Sequence, residues 1–360
     1  MLLKLLKIDS PTNVASNLPG LVSQNGTRAI VGAAAWFHGS AVMPRRRCLL
    51  RGASLAGLFT AMQARALTIH PTFDPTIAND PNAAAIEGTL NGVISTYEPV
   101  FSDPISVSID FQEMNTGLGD SSTGFYTITY LSFINALHAD AKTGNDQAAL
   151  GLLPVTAINP VTGSSAINVK TADLKALGFN PVFFPPIGGF DGEAGLNTHI
   201  TDIGSPGTSG AFSLRTVAEH EIDEVLGLGS DLPSGGDPFP EDLYRYDSSG
   251  QRSFTASSSA TAFFSINGTN DLAQFDNQND CGDFGDWQSN PHPNGVGAQI
   301  QDAFATPGAN LPPGPVELAA LDVIGYDLQV PEPASIGLLG SALAALGCLR
   351  RRRAPIVNRA

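Results

Sequence analysis

Residues 217–229 read Val217-Ala218-Glu219-His220-Glu221-Ile222-Asp223-Glu224-Val225-Leu226-Gly227-Leu228-Gly229. The stretch carries helix punctuation: Ser213 is placed to cap its start, and Gly227 and Gly229 to stop it. On a helix, positions four apart differ by about 40° around the axis, so His220 and Glu224 point the same way. An imidazole and a carboxylate side by side are both good zinc ligands. Glu221 lies about 100° round and flanks such an ion without facing it. A carboxylate there can take a proton from a water that the metal activates, then return it to a leaving amine. The competing reading is a solvated acidic face, since Glu219, Glu221, Asp223 and Glu224 crowd one short segment.

The rest of the chain sets the context. It has 360 residues, of which 42% are hydrophobic and 15% charged, with 38 Gly and 26 Pro. That is too apolar for a disordered polymer and fits a loop-rich globular core. The net charge is −15, and the basic residues gather at the two ends. Between residues 67 and 331 the basic residues are Lys142, Lys170, Lys175, Arg215, Arg245 and Arg252, against all but two of the 34 acids. A body this acidic repels phosphate backbones and excludes a nucleic-acid partner. The 3 cysteines, Cys48, Cys281 and Cys348, form no disulfide framework and no Cys-based zinc site. Cys281 has no recognisable base near it in sequence, so a catalytic thiol is not expected. His70, His138 and His199 stand alone and read as packing residues.

Periodicity outlines an α+β fold in two lobes. A helix is expected from Asp80-Pro81 to Glu98-Pro99, and a half-buried strand where Ile105, Val107, Ile109 and Phe111 alternate with polar residues. Phe125–Tyr130 reads as a strand or a helix lead-in, and Leu131–Leu150 as helical with a break near Gly144. Val182–Phe184, Gly195–Ile203 and Ala262–Ile266 are strand candidates, and a last helix is expected near Val316–Ile324.

Both ends read as addresses. From Met43, a basic cluster, the apolar run 52–64 and Ala64-Arg65-Ala66 make a signal peptide over 43–66, cut by signal peptidase. Arg46-Arg47 also resembles a twin-arginine signal, and residues 1–42 read as an over-extended start. At the other end, Val330-Pro331-Glu332-Pro333, the apolar run 334–349 and Arg350–Arg353 resemble the PEP-CTERM sorting tail of Gram-negative bacteria, followed by a short tail at 354–360. That resemblance implies a short transmembrane helix, the arginines on the cytoplasmic side, and processing by an exosortase-type sorting enzyme. It implies an exported protein at the envelope surface or beyond, transiently anchored by the C-terminal helix.

His220-Glu221-x-x-Glu224 resembles the His-Glu-x-x-His helix of zincin metalloproteases, with Glu224 in place of the second histidine. Gly227 stands where the metzincin branch has its turn glycine. Gly195-Leu196-Asn197-Thr198-His199-Ile200 is similar to the edge strand of matrixin-like enzymes, and Glu317–Tyr326 to their C-terminal helix. Taken whole, residues 67–329 resemble bacterial PEP-CTERM-sorted metalloproteases of this type. The resemblance implies a zincin-like, two-lobed catalytic domain with a mixed sheet and an active-site helix. Metzincins place a third ligand ten residues after the first His, which is Ser230 here, so Asp231 one further is the candidate, with Asp237 and His292 as fallbacks. No methionine follows Met114 in the body, so the methionine turn beneath the metal is missing or substituted. A His/Glu/Asp set is harder than a His-rich one; besides Zn²⁺ it admits Ca²⁺ or manganese. The acidic loop Asp271–Asp286 offers a separate Ca²⁺ reading, though its spacing matches no EF-hand.

The function expected is therefore an exported, zinc-dependent metallohydrolase acting on protein or peptide substrates, with Glu221 as general base. The alternative is a non-catalytic envelope or matrix protein that keeps the fold, with a structural metal or none.

Overall fold

The alternation of Val107, Ile109 and Phe111 with polar neighbours becomes a strand at the heart of a four-stranded sheet. The computed structural model describes residues 66–204, 210–277, 282–289 and 297–329. The expected signal peptide, the sorting tail, Cys281 and His292 lie outside those residues. In chain order the first elements are β1 (Thr68–Phe73), α1 (Pro75–Ala78), α2 (Ala83–Tyr97), β2 (Ser106–Glu113), β3 (Gly119–Thr123) and β4 (Phe125–Thr129). Then come α3 (Tyr130–Asp140), α4 (Gly144–Leu150), β5 (Ala166–Lys170), α5 (Thr171–Ala176), β6 (Gly192–Leu196), β7 (Thr201–Asp202) and β8 (Phe212–Ser213). The motif helix α6 (Leu214–Leu226) follows, then β9 (Arg245–Tyr246), β10 (Phe263–Phe264), β11 (Ala273–Gln274) and α7 (Pro315–Ile324). The fold is mixed α+β, and the described residues belong to one compact unit.

The main sheet has the order β1-β2-β6-β3. β1, β2 and β6 run parallel, and β3 closes one edge antiparallel to β6. Pro71 lies in β1, at the opposite edge, where its missing N–H costs no ladder bond. Helix α6 packs across β3 and β6. Two glycines permit that approach. A side chain at Gly192 would collide with Val225, and one at Gly119 with Val217 and the Glu221 carboxylate. The helix therefore sits on backbone, with Val107, Ile109, Phe111, Ala194, Leu196, Val217 and Val225 in one continuous core. Each such fully buried aliphatic contributes roughly 1.5–3 kcal/mol of transfer free energy.

The smaller sheets and the last helix complete the frame. β4 and β5 pair antiparallel, β7 and β8 pair parallel, and β10 lies between β9 and β11. α7 packs against α4 and α6, and the Tyr326 hydroxyl that follows it donates to the Leu226 carbonyl at the end of α6 (2.7 Å).

Several expectations change. The first long helix starts at Ala83, not at Pro81, with Asn82 at its N-cap position. Val182–Phe184 is no strand. Asn180 closes a turn there, its side chain accepting from Val182 N (2.9 Å) and its carbonyl from Phe183 N (3.0 Å). Gly195-Leu196 is not at an edge: β6 is hydrogen-bonded on both sides, and the edge next to α6 is Gly119–Thr123. β1, β3, β5 and α5 carry too weak a pattern to have been expected.

Candidate functional site

Helix α6 forms where its caps place it. Ser213 Oγ accepts from Thr216 N (3.3 Å), and the Gly227 N–H returns to the Asp223 carbonyl (3.0 Å). Beyond the end, the Lys170 ammonium donates to the Glu224 (2.7 Å) and Leu228 (2.5 Å) carbonyls, a cation at the negative end of the helix dipole.

The solvated-face reading fails on burial. Glu219, Glu221, Asp223 and Glu224 are 0–2% exposed. Buried acids are costly unless paired or neutral, and each here has its own surroundings. Glu219 takes an Arg215 N–H at 2.8 Å, and Asp223 accepts from the Tyr97 hydroxyl at 2.8 Å. Glu224 accepts from Ser121 Oγ at 2.6 Å, and Glu221 lies against Gly119 of the edge strand. Burial pushes Glu219 up to about 7 despite Arg215. Burial, then the charge of Glu317, holds Asp223 well above the usual carboxylate range.

His220 reaches the C-terminal segment. Its Nε2 lies 3.9 Å from Glu224 Oε1 and 3.7 Å from Asp286 Oδ1. The three side chains form a buried group whose candidate ligand atoms all lie within 4.8 Å of one another. His220 Nδ1 is 2.9 Å from the Ile300 carbonyl. A carbonyl only accepts, so Nδ1 donates there, and Nε2 is the ring atom that faces the two carboxylates. Gln301 Nε2 donates to Asp286 Oδ1 (3.0 Å). Backbone ladders fix Asp286 further: Asp276 N donates to its carbonyl (2.8 Å), and Trp287 N to the Gln301 carbonyl (2.7 Å). One neutral imidazole and two carboxylates are a suitable donor set for a divalent cation. Zinc bonds of about 2.0–2.2 Å at tetrahedral angles set ligand atoms roughly 3.4 Å apart, so the pairs at 3.7 and 3.9 Å need a few tenths of an ångström of closure.

The structure thus brings His220 and Glu224 together and adds Asp286. It does not bring Asp231 to them. Gly229 N donates to Glu241 Oε2 (2.5 Å), Ser230 Oγ to Asp242 Oδ1 (2.5 Å) and Asp231 N to Asp242 Oδ2 (3.1 Å). Those bonds take residues 229–231 into a turn, where the Asp231 carboxylate accepts from Gly236 N. Asp237 is not in the group either. Asp286 was legible only as one acid of the Asp271–Asp286 loop. No other described residue of that loop joins the group, and the loop's own Ca²⁺ reading gains no cluster among the described residues. Glu221 is outside the ligand set, as its angle on the helix requires. His70, His138 and His199 are exposed.

One other group of three acids occurs among the described residues: Asp103, Asp140 and Asp327. Lys142 fills it, contacting Asp327 and standing 3.8 Å from Asp140. Burial raises Asp103 to about 7 and Asp140 to about 6.

A family model for the PEP-CTERM protein-sorting motif matches residues 329–353. That motif is recognised by an exosortase-type sorting enzyme and implies export and sorting to the cell envelope. No curated protein and no solved structure matches the chain. Among the described residues no helix is long and apolar enough to cross a membrane; the apolar run 334–349 lies outside them.

Proposed function

We propose that the chain is an exported metallohydrolase acting on peptide bonds, with His220, Glu224 and Asp286 as the metal-holding residues and Glu221 as general base. The observation that carries this reading is convergence: an imidazole and two carboxylates, from a helix and a distant loop, meet in one buried group. The His220 Nδ1 contact with the Ile300 carbonyl supports it, since it leaves Nε2 on the side of the two carboxylates. A bound divalent ion would supply Lewis acidity and make water a nucleophile near neutral pH. The chain's own part is distinct. Ser121 and Gln301 orient the two carboxylates, and Ile300 orients the imidazole. Glu221, next to His220 and leaning on the edge strand, takes a proton from the attacking water and passes it to the departing amine. A mixed sheet with an antiparallel edge strand under the motif helix agrees with the zincin resemblance.

Metal content of the purified full chain, followed by hydrolysis of casein and a peptide panel, tests the reading. The expected result is about one zinc-like ion per chain and hydrolysis that Glu221→Gln lowers about 10²–10⁴-fold with the metal retained. A metal-free wild-type chain overturns it.

A second reading is favoured by one observation. His220, Glu224 and Asp286 are each only 1–2% exposed, whereas catalytic metal sites keep a position open. A closed site of this kind would hold a structural ion in an envelope protein without chemistry. Stoichiometric metal with no hydrolysis of any substrate selects it.

A further inference from the structure

Glu317 is buried in the first turn of α7, 1% exposed, and touches none of the three metal-type ligands. Its Oε1 accepts from Ile300 N (3.1 Å) and Gln301 N (3.4 Å). Those two amides belong to the residues that orient the ligands. The Ile300 carbonyl receives the His220 Nδ1–H, and the Gln301 side chain donates to Asp286. The connection to His220 runs through a single peptide group, because the Gln301 N–H and the Ile300 C=O share one amide. A carboxylate on the N–H end polarises that amide and strengthens its oxygen as an acceptor. Hydrogen bonding to the far nitrogen of a ligating imidazole raises its basicity and fixes its ring plane. Gly314 makes room: a side chain there would collide with Glu317 Oε2.

Resting on the metal reading above, we propose that Glu317 is the positioning residue of the site. It acts on His220 through the 300–301 peptide and on Asp286 through Gln301. One carboxylate on the last helix thereby sets two of the three ligands.

The test uses the full chain with zinc, with cobalt as a spectroscopic substitute, and with the metal-free protein labelled with ¹⁵N-histidine. Outer-shell changes typically cost 10–100-fold in metal affinity. Glu317→Ala should weaken zinc about that much and alter the cobalt visible spectrum. In the metal-free protein the His220 Nδ1–H resonance should shift or broaden. Glu317→Gln keeps one acceptor without the charge and should fall between. Should Glu317→Ala fail to fold, Glu317→Gln carries the test. Asp322→Asn is the control, a buried acid of the same helix that accepts from Thr143 and Asn145 (2.9 Å each). It should leave zinc affinity, cobalt spectrum and the His220 signal unchanged even where the melting temperature drops. Folded Glu317 variants with wild-type zinc affinity and an unchanged His220 signal overturn the proposal. So does an equal change in Asp322→Asn. A wild type that binds no metal, but whose His220 signal still responds to Glu317→Gln, refutes the metal reading and leaves the positioning role standing.

Discussion

Replacing Asp286 by Asn separates the third ligand from its rival Asp231. Asp286 Oδ1 stands 3.7 Å from His220 Nε2 and accepts from Gln301 Nε2 at 3.0 Å. An Asn carbonyl can keep the Gln301 bond, so the loop stays in place while the ligand's charge is removed. Structural zinc sites with four protein ligands are worth about 10–16 kcal/mol, or roughly 2.5–4 kcal/mol per ligand. At about 1.4 kcal/mol per decade, the loss of one ligand raises the zinc Kd by about 10²–10³-fold. The metal-free chain should respond in the opposite sense. With Glu224 and Asp286 both within 4 Å of one imidazole, removing one charge relieves repulsion and leaves melting temperature unchanged or higher. Competition against a chromogenic chelator measures the Kd, and calorimetry of chelator-stripped protein measures stability. Asp231→Ala should leave the Kd unchanged, because its carboxylate serves a turn at Gly236. Zinc affinity preserved in Asp286→Asn and lost in Asp231→Ala would refute the assignment.

Other perturbations address the surroundings. Gly119→Ala places a methyl against the Glu221 carboxylate and Val217; it should destabilise the fold by about 1–3 kcal/mol and lower hydrolysis more than it lowers metal content, as read by melting and metal analysis. Stability of the metal-free chain should fall as pH rises. Asp103 and Glu219 are raised to about 7 and Glu241 to about 8, burial being the first cause of each. The folded state therefore binds more protons than the unfolded one. The contribution of these groups is complete below their ordinary range near pH 4 and is lost as pH passes through about 7–8, so calorimetry at pH 5 and pH 8 should find the higher melting temperature at pH 5. Lys142→Met removes the ammonium beside Asp327 and Asp140 and should steepen that decline, its cost at pH 8 exceeding its cost at pH 5. In a host with the sorting system, mass spectrometry of the mature protein should find the chain cut near Pro331-Glu332-Pro333; an intact C-terminus contradicts the sorting motif's role.

The sequence showed α6 because its signals are local. Ser213, the four-residue spacing of His220 and Glu224, and Gly227 all lie in or next to the element, and the two caps match its observed bounds at Leu214 and Leu226. β2 was visible for the same reason, its alternating burial following its alternating polarity. β3 was hidden because Gly-Asp-Ser-Ser-Thr has little strand preference. It is a strand because β6 offers a partner and because Gly119 and Ser121 fit beneath the motif helix. The four acids of α6 misled in a related way. Charge composition predicts solvation, yet Glu219, Asp223 and Glu224 are buried on hydrogen bonds from Arg215, Tyr97 and Ser121, and two of these donors lie on other elements.

The third ligand shows where local reasoning stops. A ligand ten or eleven residues after His220 presupposes that the chain turns straight back over the helix, and no side chain near Gly229 can report that. Glu241 and Asp242 decide the matter by capturing the Gly229 and Asp231 backbone N–H groups and the Ser230 hydroxyl. Asp286 joins His220 and Glu224 instead, and its position depends on two backbone pairings, with residues 274–276 and with residues 301–303, and on the bond from Gln301 N to the Glu317 carboxylate of α7. None of those pairings has a sequence period. The histidine, by contrast, needs only its helix and one carbonyl. The site therefore divides into a local half, His220, Glu221 and Glu224, readable from spacing, and a tertiary half, Asp286, Ile300, Gln301 and Glu317, that exists only once the C-terminal segment has folded onto α6. A chain truncated before α7 should consequently keep the motif helix in sequence and lose metal binding.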